Sequence, residues 1–170
     1  VAPPHSAPGV TSMVGYRALD APKAVHRGMP SATLTFIVSL DDGVEAAATA
    51  DALPAARPIP VLLGGLHLRA SQVRQHRGQA GVQLRVHPLA SRALFGVPSA
   101  ELSVTDFDGA AVLGRGSVEL HARAAEARRW PDAFALVATY LVAARQRRDG
   151  VTVRPEVAYA WHLLERSRGR

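Results

Sequence analysis

The sequence has no cysteine, which excludes disulfides and thiolate ligation of zinc, copper or iron–sulfur clusters. That is compatible with a reducing cytoplasm and does not by itself establish one. The longest apolar run, Ala133–Ala144, is twelve residues with one Thr inside it. A membrane span needs about 20 residues, and a run of roughly 10–14 reads as a buried helix. The opening VAPPHSAPGV has neither a charged start nor an apolar core, so no signal peptide is expected; with no initiator Met, a trimmed or processed chain is expected. Lysine is almost absent, with one Lys against nineteen Arg.

Motifs for catalysis are missing as well. There is no GxSxG and no HExxH, and no glycine-rich phosphate fingerprint follows a predicted strand. His67 and His87 fall on neighbouring predicted strands, but no HxH or HxxxH pair with a nearby Glu occurs. Metal sites need three or four convergent ligands, so neither a metal nor another cofactor is expected. Asp106 and Asp108 share a loop with Glu101 nearby, and cap or turn roles suit them best. The chain is read as a non-enzyme.

What is present is a soluble composition, 48% hydrophobic and 20% charged, over 170 residues. That is enough for one domain with a real core. Charge is uneven: residues 1–114 hold nine Lys/Arg against eight acids, and residues 115–170 hold eleven Arg against six acids. A basic tail attracts polyanions, and solvated Arg on helix surfaces is the plainer reading. Arg145, Arg147, Arg148 and Arg154 cluster at one predicted helix junction, where positive charge also offsets helix dipoles.

Periodicity divides the chain at Pro88. Before it, Thr33–Leu40 and Val82–His87 alternate apolar and polar residues without a break, the pattern of half-buried strands. Met13–Ala18, Val44–Thr49, Val61–Arg69 and Ala70–His76 are further strand candidates, with Gly64-Gly65 marking a bulge or a close backbone approach. Ala70–His76 is expected to pair with Val82–His87 across the turn Arg77–Gly81. Ala21–Ser31 and Asp51–Pro60 read as connections because of their prolines. After Pro88 the spacing is helical. Gly96 and Pro98 stop the first helix, Pro131 opens one with a Phe134, Val137, Leu141 stripe, and Pro155 opens one carrying Val157, Trp161 and Leu164.

Three segments together resemble AraC-type transcriptional regulators. They are HRGMPSATLTFIVSLDD (26–42), LLGGLHLRASQVRQHRGQAGVQLRVHPLASRALFGVPSAEL (62–102) and RPEVAYAWHLLERSRGR (154–170). The likeness spans most of residues 15–170, rests on the order of structural segments, and is greatest to the branch in which a sensor precedes a paired helix-turn-helix domain. It implies a cytoplasmic sensor, often dimeric, that controls DNA binding. The helix from Pro155 resembles the first helix of that DNA-binding domain. Both recognition helices are absent from the sequence, so the chain is expected to be a fragment of a longer regulator that meets DNA through the missing part.

The expected fold is α+β: an N-terminal antiparallel β barrel or sandwich, cupin-like, followed by a helical segment. The expected divisions are a loose arm over 1–12, a β-rich sensor over 13–97, a helical dimerisation or linker segment over 98–150 and the truncated helix-turn-helix over 151–170. A small-molecule effector in the barrel mouth is the first functional expectation. Tyr16, His26, His67, Arg69 and His87 are its candidate contacts, as polar residues on or beside predicted strands. Plainer roles exist for most of them: Tyr16 at the core edge, His26 stabilising a loop, Arg69 and His87 on a solvated face. The alternatives are a ligand-free homodimerisation module and, with less support, a cupin-type metal enzyme.

Overall fold

Strand β3 (Leu34–Ser39) sets the architecture, because both of its faces are covered. In the computed structural model, which describes residues 7–19 and 24–167, Leu34, Phe36 and Val38 lie under the helices while Ile37 meets a second sheet. The protein is α+β, with two open four-stranded antiparallel sheets and several helices. The remaining strands are β1 (Val10–Arg17), β2 (Ala24–Gly28), β4 (Val44–Ala47), β5 (Pro58–Ile59), β6 (Val61–Gly64), β7 (Ser71–Gln75) and β8 (Ala80–Val86). The first sheet has the order β1-β8-β3-β6 and the second β2-β7-β4-β5.

Helices α1 (Ser91–Phe95), α2 (Gly109–Leu113), α3 (Arg115–Ala125), α4 (Trp130–Gln146) and α5 (Pro155–Ser167) follow. The main core joins Leu34, Phe36, Val38, Leu63, Val82, Leu84 and Val86 of the first sheet to Leu94, Phe95, Leu120, Val137 and Leu141 of the helices. Burying alternate residues of four strands against an apolar helix stripe is the dominant stabilising term. A smaller cluster between the sheets holds Val44, Ala46, Leu62 and Phe107, with Ile37, Ile59 and Val73 packed on it.

The structure changes several sequence expectations. Residues 24–28, read as loop, form β2; that strand is mostly exposed and, among the described residues, pairs only with β7, so tertiary pairing rather than apolar alternation creates it. The expected hairpin of 70–76 with 82–87 does not form. β7 pairs with β2 and β4, whereas β8 pairs with β1 and β3. The reason is apolar content: Val82, Leu84 and Val86 suit the central layer, and β7 offers only Val73.

The strand expected over 61–69 stops at Gly64. Beyond it a Cβ on Gly65 would lie 2.6 Å from the Leu102 carbonyl oxygen, so residues 102–103 approach the backbone closely there. Segment 103–108 covers the β6 edge through Leu63 N–H to Phe107 O (2.9 Å) and Gly65 N–H to Ser103 O (3.0 Å). The first strand begins at Val10 rather than Met13, and Ala7 is already buried. Of the arm expected over 1–12, residues 1–6 lie outside the described residues.

Candidate binding cleft

The residues facing the space between the sheets follow from register, since directly paired residues share a face. On the first sheet, Tyr16, Gly81 and Ser39 form one row; Val14, Gln83, Ile37 and Leu62 form the next; Ser12, Arg85, Thr35 and Gly64 form a third. On the second sheet, His26, Val73 and Ala46 form one row and Gly28 with Ser71 another. Ile37, Leu62, Val73 and Ala46 pack together, so these two faces look at each other. The cleft is apolar and closed on the β3–β6 side. On the β1–β8 side it is open: Val14 is 51% exposed, and Gln83, Arg85 and His26 reach solvent.

Two of the five residues singled out from the sequence therefore face this cleft, Tyr16 from the first sheet and His26 from the second. The Tyr16 ring packs on Gly81, and its hydroxyl is pushed up from its ordinary value of 10 to about 12, chiefly by burial and then by the negative charge of Asp41. Asp41 organises the turn after β3. Its carboxylate accepts from Ser39 Oγ, from Gly43 N–H (3.2 Å) and from Ala80 N–H (2.8 Å), and its carbonyl oxygen lies 2.9 Å from His121 Nε2 of α3.

His67 stands at the rim. Its Nδ1 is 3.2 Å from Gly65 O and its Nε2 is 3.4 Å from Gly28 O, so it ties the end of β2 to the turn after β6. A neutral imidazole donates to one of these carbonyls at a time. Arg69 is exposed in the connection between β6 and β7. His87 lies on the helical side: its Nδ1 accepts from Leu89 N–H (3.2 Å), and its ring meets Trp161 of α5.

Sequence reasoning passed over Gln83 and Arg85, treating them only as the polar side of a strand. The signal was in the alternation itself, which puts both on the same face of β8 as Gly81, beneath Tyr16. Arg85 has no carboxylate partner among the described residues, which leaves a free cation at the cleft mouth. Such an arrangement can hold a small molecule with an apolar body against Val14 and an acceptor or anionic group toward Arg85.

Two shallow concavities of about 360 and 420 Å³ adjoin at Ala46 and Thr105, beside the closed end of the cleft. Small alanines line one, and Arg57, Asp106 and Asp108 border the other. The two carboxylates serve the backbone there: Asp106 accepts from Asp108 N–H (3.1 Å) and Asp108 caps α2 through Ala110 N–H (2.9 Å). On the outer face of the second sheet, Arg74 bonds Glu45 and the Leu53 carbonyl (3.2 Å), which fastens the loop after β4. Among the described residues no group of three or more His, Cys, Asp or Glu is arranged to hold a metal ion, and no helix is long and apolar enough to cross a membrane. No family model, no curated protein and no solved structure matches the chain.

Proposed function

We propose that this chain is the regulatory, effector-sensing part of an AraC-type DNA-binding transcriptional regulator, a cytoplasmic protein whose DNA contacts are made by helices outside this sequence. The observation that carries the reading is the path of β8. This strand lines the open cleft with Gln83 and Arg85, and it runs directly into His87, whose ring meets Trp161 of α5. The segments that resemble the family fall on the same parts: β2 and β3 with their turn, the passage from β6 to α1, and α5.

In this reading the two sheets are a cupin-like sandwich left open at one side, and the cleft takes a small metabolite between Tyr16, Arg85 and His26. The mechanism is a population shift. An effector that binds one arrangement of the sheets better than another biases the helical layer and α5 by that difference in affinity. No bond is made or broken, so the domain binds and does not catalyse.

Native mass spectrometry of the purified domain, followed by a thermal-shift screen of small metabolites with anionic members included, tests the proposal. A ligand at a hundred times its Kd adds about 2.7 kcal/mol of stability. For a chain of this size that raises Tm by roughly 5–10 °C. The rise should saturate and should shrink in Arg85→Ala and Tyr16→Phe. No ligand, together with a concentration-dependent dimer in sedimentation, would instead favour a ligand-free homodimerisation module.

A further inference from the structure

Helix α5 is held to the rest of the molecule by few groups. None of its residues is fully buried, and Val157, Tyr159, Leu163 and Leu164 are exposed. Trp161 is the exception that turns inward. Its indole meets the His87 imidazole edge-on, with ring centroids 5.8 Å apart and planes at 67°. His87 Nε2 lies 3.9 Å from the Glu165 carboxylate, the one polar side-chain contact between α5 and the body among the described residues.

His87 is fixed from the sheet side. Its backbone N–H donates to Gly9 O (2.8 Å), and its ring Nδ1 accepts from Leu89 N–H (3.2 Å). Gly9 has φ of +94°, and a Cβ there would meet the Ala90 Cβ at 2.3 Å, so this corner tolerates glycine alone. The direction of the ring therefore follows the paired ends of β1 and β8.

The docked position also carries a defect. Trp161 Nε1 is buried with no hydrogen-bond acceptor among the described residues. A buried donor without a partner favours any state in which it reaches water. One edge-on aromatic contact and one long imidazole–carboxylate contact hold the helix down, and one unmet donor works against them, so the docked helix is held only weakly.

We infer that α5 exchanges between a docked and an undocked position and that His87 is the positioning residue on which docking turns. Movement of the β8 end swings the imidazole against Trp161 and shifts the balance. The inference stands on this contact and does not require that the cleft take an effector.

Hydrogen–deuterium exchange of the whole chain, read by mass spectrometry, tests it. In the unmodified protein α5 amides should exchange well ahead of those in α4. Trp161→Ala and His87→Ala should each speed exchange in α5 by roughly three- to tenfold and leave α4 unchanged, and the double variant should be no faster than either. Alanine has the higher helix propensity, so faster exchange in Trp161→Ala cannot come from a weaker helix. His87→Gln keeps an acceptor for Leu89 N–H but has no ring, and it should release α5 as His87→Ala does. If His87→Ala unfolds the body, Trp161→Ala still decides. Protection of α5 equal to that of α4, no change in Trp161→Ala, or release by His87→Ala but not by His87→Gln would each overturn the inference.

Discussion

Tyr16 and Asp41 show how single side chains at the cleft's edge are tied to stability. Burial raises the Tyr16 hydroxyl to about 12 in the folded state, against 10 for the free group. A group whose folded value is raised stabilises fully below the unfolded value and loses that contribution as pH rises toward the folded one. The wild type should therefore lose about 2 kcal/mol between pH ~10 and ~12 beyond what Tyr16→Phe loses. Urea unfolding at stepped pH measures the difference, and parallel curves for the two proteins would refute it. Asp41 accepts three hydrogen bonds, two of them from backbone N–H groups on the β3–β4 turn and on β8. Asp41→Asn turns one acceptor into a donor facing those groups and should cost about 2 kcal/mol, seen as a Tm lower by roughly 4–8 °C. The sequence showed Asp41-Asp42-Gly43 as turn chemistry. It did not show that the same carboxylate reaches Ala80, because that contact spans 39 positions along the chain.

At the scale of elements, α4 and α5 behave in opposite ways although both are opened by a proline. Val137 and Leu141 are fully buried against the first sheet, so the stripe read from the sequence is spent inside the chain and is not a surface for a partner. Leu141→Ala should cost about 2–5 kcal/mol through lost contact and the cavity left behind. Ending the chain at Arg154 removes all of α5 and should move Tm by less than about 2 °C, because α5 buries little apolar surface. Calorimetry of both variants checks the contrast, and equal losses would show that α5 belongs to the cooperative core. The starts of α4 and α5 were legible because proline suits a first turn and marks it in any context. β2 was not legible. Its five residues, Ala24–Gly28, have no apolar alternation, and they become a strand because β7 presents an edge to them.

For the molecule as a whole, the layers are helices, first sheet and second sheet, and the open cleft lies between the two sheets. The sequence by itself determined the α+β class, the switch from strand to helix period at Pro88, the inward faces of β3 and β8, and the α4 stripe. These rest on local period and on proline and glycine chemistry, which act within a few residues. Only the tertiary structure decided which strands are neighbours. It put β7 and β8 in different sheets despite their closeness in sequence, because pairing depends on which face finds an apolar partner. It also sorted the five candidate residues. Tyr16 and His26 face the cleft, His67 ties its rim, Arg69 stands in solvent, and His87 turns to Trp161. Alternation tells which residues of a strand share a face. What that face meets is settled by contacts between segments far apart in the chain, and no local pattern encodes them.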